Sequence, residues 1–235
     1  MDFFKHMMVL VLGLSGLLFS GCASVYVPSA QHTNLMNEKG ELHAAAHAGV
    51  NGGDIQAGYA VSDNFGIIGA ASFGSSEEEG TADDFHEHSY AEIGGTYFRP
   101  IGTKGRYEVM AGVGAGSAES VTQYNFFGPQ QVKATGDYTK VFLQNNIGVE
   151  TGILEAGVAI RLGHVIFRKF ETSNTTYEES ERGTFFEPSA FARLGWKNVK
   201  FETQVGVAGP LQDDIAFDYR TLLFSLGIHL QFNTQ

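Results

Sequence analysis

Charge is what this chain has least of. Of its 235 residues only 17% are Asp, Glu, Lys or Arg, against about a quarter in an ordinary soluble domain, so a broad charged exterior is short of material. Cysteine occurs once, at position 22, which excludes a disulfide framework and any zinc site built on paired cysteines. Basic residues number 15 against 26 acidic ones, a net charge of −11, and nucleic-acid binding needs the opposite balance on one face. No glycine-rich loop follows a strand and opens a helix, so a nucleotide cradle is excluded as well. What remains is 43% hydrophobic and 12% aromatic, with 30 glycines. That is enough apolar material for a folded core, and it excludes a disordered chain.

From Glu41 onward apolar residues recur at every second position rather than with the helical period. In the last segment Leu222, Phe224, Leu226, Ile228, Leu230 and Phe232 share one face, and Leu223, Ser225, Gly227, His229 and Gln231 share the other. Ten strands are predicted, near 41–50, 54–61, 65–75, 87–99, 106–120, 138–150, 153–170, 184–196, 199–210 and 219–233. Tight connections of turn composition at 62–64, 102–105, 151–152 and 197–198 alternate with long ones at 76–86, 121–137, 171–183 and 211–218; only 51–53 breaks the alternation. The predicted fold class is therefore all-β: a single antiparallel up-and-down transmembrane β-barrel of about ten strands, with eight as the alternative. Two-residue turns at Lys197-Asn198 and Thr151-Gly152 fix the expected registers. They set Arg193 opposite Glu202 and Trp196 opposite Val199, and Phe142 opposite Arg161 and Gly148 opposite Glu155.

Alternation suits a membrane barrel with an apolar exterior and a soluble barrel with an apolar interior equally well. Charge placement separates them. The polar face is mostly Gly, Ala, Ser, Gln and Asn, with isolated charges at Glu92, Glu108, Lys140, Glu150, Glu155, Arg161, Arg193, Lys200 and Glu202. That composition suits a narrow lumen plugged by its own side chains, with Glu92, Glu155, Arg161, Arg193 and Glu202 as candidate lumen ion pairs. Tyr59, Tyr97, Tyr107, Trp196, Phe201 and Phe232 fall near the turn end, and Phe73, Tyr90, Tyr138, Phe167, Phe186 and Tyr219 near the long-loop end. Both sets are expected to form interfacial aromatic girdles.

Lys5 and His6 precede an apolar stretch, Met7–Phe19, that is too short to span a bilayer, and small residues follow it; this is the pattern of an export signal. Phe19-Ser20-Gly21-Cys22 resembles a bacterial lipobox. The resemblance implies that Cys22 is acylated and becomes the first mature residue. Ala23 is not the aspartate that retains some lipoproteins at the inner membrane, so the implied destination is the outer membrane. The expected organisation is a cleaved lipoprotein signal peptide at 1–21, a lipid-anchored tether at 22–40 and an outer-membrane barrel at 41–235. An even strand count places both termini on the turn side. The anchor at Cys22 would then lie on the periplasmic side, and the acidic long loops outside. Ser225-x-Gly227-x-x-Leu230-x-Phe232 resembles the terminal-strand signal of outer-membrane barrels. It implies a barrel-assembly machinery as partner, engaged through Ser225, Gly227, Leu230 and Phe232. With Phe186-Glu187-Pro188-Ser189, Gly195-Trp196-Lys197 and Val199-Lys200-Phe201, most of the mature chain resembles small lipid-anchored outer-membrane barrels of Bacteroidetes-type bacteria. That likeness brings a fold and a location, and little by way of activity.

Chemistry is sparse. Asp83, Asp84, His86 and His88 bring carboxylate and imidazole together and are weak candidates for a divalent cation at the acidic loops, although a solvated loop accounts for them too. His43 and His47 project to one side of the first strand, and His164 falls at rim depth without a neighbouring serine. No catalytic residue and no cofactor is expected; outer-membrane lipid is the expected surrounding. The expected function is a structural or surface-interaction role. The alternatives are a barrel enzyme acting on lipid or peptide, and a periplasmic lipocalin-like ligand-binding barrel.

Overall fold

The computed structural model describes residues 23–78, 84–124, 130–173, 175–177, 180–196 and 198–234. The strands are β1 (Glu41–Gly49), β2 (Gly52–Ala60), β3 (Phe65–Glu78), β4 (Asp84–Ile101), β5 (Gly105–Tyr124), β6 (Gln130–Glu150), β7 (Leu154–Thr172), β8 (Thr175–Tyr177), β9 (Glu181–Trp196), β10 (Val199–Val207), β11 (Gly209–Pro210) and β12 (Leu222–Asn233). Neighbouring strands pair antiparallel throughout. β9 pairs with both β7 and β10, and β12 returns to β1, so the sheet closes. β8 and β11 are short additions on β7 and β9 at the long-loop end. Ten strands therefore make the wall, and the eight-strand alternative is excluded. Closure leaves no sheet edge with unpaired backbone groups, the condition for a sheet to stand in hydrocarbon.

The outward rows are apolar and exposed: Ile67, Ile93, Val113, Val141, Ile160, Leu194, Val205, Leu226 and Ile228 all stand free of protein cover. On β9 the outward Phe186 and Trp196, the latter 76% exposed, are ten residue steps apart. At the rise and tilt usual for barrel strands this corresponds to a belt of roughly 25 Å, the height of a membrane barrel's apolar band. Phe65, Tyr97, Trp196, Phe201 and Phe232 mark its turn-side rim, and Phe73 and Phe186 its loop-side rim. The expected loop-side girdle needs correction: Tyr90, Tyr138 and Phe167 point inward and are buried. They pack with Tyr26, Phe170, Phe185 and Phe217 into an aromatic cap beneath the long loops.

The β9–β10 hairpin has the expected register, with Arg193 opposite Glu202 and Trp196 opposite Val199. The β6–β7 hairpin does not. Its turn is longer: Thr151 N donates to Leu154 O at 2.8 Å, and Gly152 sits at φ 76°. Glu150 therefore pairs with Glu155, Gln144 with Arg161 and Phe142 with Gly163. A slip of two residues keeps every side chain on its face, which is why parity was right where partners were wrong. Higher up, a bulge sets Asp137 opposite Lys169 and Tyr138 opposite Phe167, leaving Arg168 as the extra residue.

Residues 23–40 depart most from expectation. In place of a tether beside the barrel, residues 23–36 run through the lumen and are buried along their whole length. Gly40 then meets Ala60 O at the turn end, and β1 begins. Residues 23–36 contain no Asp, Glu, Lys or Arg.

Candidate functional site: a filled polar lumen

Beyond a single bridge at Tyr26 the extended segment has no strand beside it among the described residues, so most of its backbone groups must be met by side chains. The lumen supplies them. Asn51 Nδ2 donates to Pro28 O at 3.0 Å, Gln56 Nε2 to Ala30 O at 2.8 Å and Gln204 Nε2 to Gln31 O at 3.0 Å. Asn146 Nδ2 donates to His32 O at 2.8 Å, joined there by Gln144 Nε2 at 2.5 Å. Thr33 O accepts from Arg193. Two wall glycines admit the segment. A Cβ on Gly58 would lie 2.4 Å from Asn34 Nδ2, and one on Gly148 would lie 2.8 Å from Leu35 Cδ1.

Charged groups form three layers around it. Nearest the loops, Lys140 Nζ sits 3.3 Å from Glu187 and 2.7 Å from the Tyr26 hydroxyl, which itself donates to Glu187. At mid-height Arg161 grips Glu92 through both Nη atoms, at 3.2 and 3.0 Å. Its Nε donates to Gln144 Oε1 at 2.7 Å, and His32 Nε2 of the threaded segment stands 3.4 Å from Glu92. Nearer the turns Arg193 bridges Glu155 at 2.9 Å and Glu202 at 3.0 Å, with Lys200 on Glu155. Thr33 Oγ1 donates to Glu202 at 2.7 Å, and His47 and His229 approach the same carboxylate at 3.4 and 3.3 Å.

The five residues read from the sequence as lumen ion pairs, Glu92, Glu155, Arg161, Arg193 and Glu202, all lie in this network and are fully buried. Glu187 and the partners from the threaded segment were not anticipated. Glu187 hid between Phe186 and Pro188, where the alternation is obscured. The segment itself carries one usable signal: fourteen residues without a charge are poor material for a solvated tether.

The other candidates are placed as follows. Cys22 and Asp83 lie outside the described residues, and for Asp84 only the backbone is described, paired with Glu78. His86 Nε2 and His88 Nδ1 are 3.1 Å apart and buried in the wall, not in a solvated loop. Among the described residues no group of three His, Cys, Asp or Glu is arranged to hold a metal ion. His43 meets His229 at 3.0 Å and Glu41 at 3.3 Å. His164 Nδ1 meets Thr184 Oγ1 at 2.9 Å, with neither a serine nor a carboxylate as partner. Ser225 is buried inside, while Phe232 is outward and exposed. At the turn mouth a cleft of about 520 Å³, lined by Glu41, Arg106, Glu150, Trp196 and Lys200, reaches up to the foot of the threaded segment.

Fold and lumen together define a closed ten-strand β-barrel with an apolar exterior and a polar interior filled by its own N-terminal segment. No protein-family model matches the chain, and a search of curated proteins finds no match. Among solved structures it is similar to Ail, the attachment invasion locus protein of Yersinia pestis, at 12% identity and a TM-score of 0.34, covering 83% of this chain and 99% of that one. With so low a superposition score, the barrel's own surface has to identify its surroundings.

Proposed function

We propose that this chain is a lipid-anchored barrel of the bacterial outer membrane, with a structural or surface-interaction role played by its long-loop face, and that it is not a pore. One observation carries the proposal. The apolar rows face outward around the whole wall, while the Lys140–Glu187, Arg161–Glu92 and Arg193–Glu155–Glu202 contacts are sealed inside. In water that exterior would be an exposed apolar surface far larger than a soluble monomer tolerates; in hydrocarbon it is the favourable side. The same observation weighs against the lipocalin-like alternative, whose interior must be apolar and empty enough for a ligand. The paired His86 and His88 are buried, and His164 meets the Thr184 hydroxyl; among the described residues none of the three is set beside an acid in an open site.

Lipidation at Cys22 rests on the lipobox likeness, and engagement of an assembly machinery by Ser225, Gly227, Leu230 and Phe232 on the terminal-strand likeness. The described loop-end charges are mixed: that end carries Lys133, Arg168 and Lys169 as well as Glu171, Asp213 and Asp214, with Lys133 Nζ 2.6 Å from Glu119. A purely acidic face is therefore not the feature to build on. The test is twofold. Unboiled protein should migrate differently from boiled protein on a denaturing gel, and protease added to intact cells should cut within 79–83 or 174–179. Identical migration together with full release into the soluble fraction would refute the membrane assignment.

A further inference from the structure

We infer that the N-terminal segment is threaded from the long-loop side, so that a lipid on Cys22 enters the leaflet facing the loops, opposite the tight turns and the C-terminus. This deepens the lipoprotein proposal above and rests on it. It also reverses the side that strand parity alone assigns.

The direction of threading is fixed at both mouths. At one, Ala23 N lies 3.4 Å from Asp218 Oδ2, Val25 N donates to Asp218 O at 3.0 Å and Arg220 N to Tyr26 O at 2.9 Å. Tyr26 also forms a parallel bridge with Tyr219. All three partners belong to the 211–221 connection at the long-loop end. At the other mouth Met36 packs with Ala60 and Phe98, Gly40 N donates to Ala60 O at 2.9 Å, and Thr234 N donates to Gly40 O at 3.0 Å. That mouth holds the C-terminus. One peptide unit separates Cys22 from Ala23, a reach of about 3.8 Å between Cα atoms. The apolar belt is roughly 25 Å tall. An acyl chain attached at residue 22 therefore cannot reach the turn-side leaflet while Ala23 remains at the loop mouth.

The contacts along the way show that this path is the folded state rather than an incidental excursion. Ala30 N meets Asp54 at 3.2 Å, Gln31 N meets Gln204 at 3.0 Å and Met36 N meets Glu108 at 2.9 Å. Withdrawing the segment takes one donor from each of these buried acceptors, leaving Glu108 with Asn146 Nδ2 at 2.9 Å, a loss on the scale of a buried hydrogen bond. β1 follows the segment directly and forms the seam with β12. Threading and barrel closure are thus coupled: the seam cannot close with the segment outside unless those acceptors are abandoned.

The experiment uses the full-length protein with its lipobox intact, carrying one short epitope at a time: between Cys22 and Ala23, within 125–129, or in the 102–105 turn. Antibody binding is compared on intact and permeabilised cells. The expected result is that the first two epitopes bind on intact cells and the turn epitope only after permeabilisation. An N-terminal epitope that follows the turn epitope overturns the inference. Because an epitope at the mouth can itself disturb threading, a second variant pairs Ala23→Cys with Asp218→Cys. A short bis-maleimide, which adds to both thiols, should join the two sites in the folded barrel and change its gel mobility. Absence of that cross-link in protein that still shows heat-modifiable migration overturns the threading while leaving the membrane barrel standing. Loss of heat-modifiable migration in the unaltered protein would instead be a failure of the membrane assignment.

Discussion

Replacing Arg193 by alanine tests the lumen network at its most loaded point. The guanidinium is fully buried, bridges Glu155 at 2.9 Å and Glu202 at 3.0 Å, and holds Thr33 of the threaded segment through Oγ1 at 2.5 Å. Its central carbon stands 5.2 Å from the Phe191 ring centroid. Without it Glu155 keeps Lys200. Glu202, however, is left with neutral donors, Thr33 and Gln204 Nε2 at 2.9 Å, and two histidines. Breaking a buried pair in this way costs roughly 3–5 kcal/mol, because the remaining charge stays desolvated. That is a change of about 150- to 5,000-fold in the unfolding constant. The surviving Lys200 contact places the expected value toward the lower end. The assay is urea unfolding of the barrel in lipid vesicles, followed by the fluorescence of Trp196. It is the chain's single tryptophan and is exposed on the apolar belt, so leaving the bilayer shifts its emission. Adding Glu202→Gln to Arg193→Ala removes the stranded charge and should destabilise by less than the sum of the two single changes, with a coupling of about 0.5–3 kcal/mol. A loss below about 1 kcal/mol for Arg193→Ala, or strict additivity in the double variant, would refute the reasoning.

Four further outcomes are expected. Val205→Arg, on an outward row of β10, should destabilise the vesicle-inserted barrel by about 2–4 kcal/mol if that row faces the bilayer interior; a change no larger than that of Asp213→Ala would refute it. Gly58→Leu should dislodge the segment near Asn34 and Met36. Hydrogen exchange at residues 30–36 would then rise while heat-modifiable migration persists, and unchanged exchange would refute the close approach. Tyr26→Phe removes the hydroxyl shared by Glu187 and Lys140 and should cost about 1.5–3 kcal/mol, as a hydrogen bond to charged partners does; unfolding in urea reads it. Deleting residues 24–36 should turn a non-conducting barrel into one with discrete channel openings in a planar bilayer, and a silent deletion variant would mean that wall side chains alone close the lumen.

Much of the wall was legible because a strand in a two-faced sheet writes its orientation into every second residue. The outward rows of β10 and β12, the inward Arg193 and Glu202, and the ten-strand count all follow from that period. Register was legible only where the turn length was obvious: two residues at Lys197-Asn198, but not at Thr151–Leu154, where a longer turn slips the partners while preserving the faces. Aromatic residues misled. Tyr90, Tyr138 and Phe167 occur at girdle height, yet each sits on an inward position, and parity should have outweighed residue type. The threaded segment was illegible to periodicity altogether. An isolated extended strand has no sheet neighbours to impose alternation, and a filled lumen buries both of its sides, so Val25, Tyr26, His32 and Met36 are all interior. Its one sequence mark, the lack of charge, makes sense only once the lumen's own charges are counted.

That count leads to the sign of the open pore. Among the described residues seven carboxylates are buried, Glu41, Asp54, Glu92, Glu108, Glu155, Glu187 and Glu202, against five cations, Arg106, Lys140, Arg161, Arg193 and Lys200, an excess of two negative charges. Six of the seven acids face a polar group of residues 26–37. Glu187 has the Tyr26 hydroxyl, Asp54 the amide of Ala30, Glu92 the His32 ring and Glu202 the Thr33 hydroxyl. Glu108 has the amide of Met36, and Glu41 that of Asn37 at 2.8 Å. A segment bearing Asp or Glu would enlarge the excess; an uncharged strand rich in N–H and O–H groups meets it through hydrogen bonds. Removing residues 24–36 strips five of these six groups, all but the Asn37 amide, and leaves water facing a carboxylate-rich wall, the arrangement that favours cations in a pore. The deletion variant, held under a tenfold gradient of potassium chloride, should therefore show a reversal potential of the sign that marks potassium as the preferred ion. Mutating Glu108 to Gln in that background should reduce the preference, since among the described residues no Lys or Arg stands within 4.0 Å of it. An anion-preferring pore would mean that the buried cations, not the acids, set the field along the lumen, and that the donors of the threaded segment answer a geometric need rather than an electrostatic one.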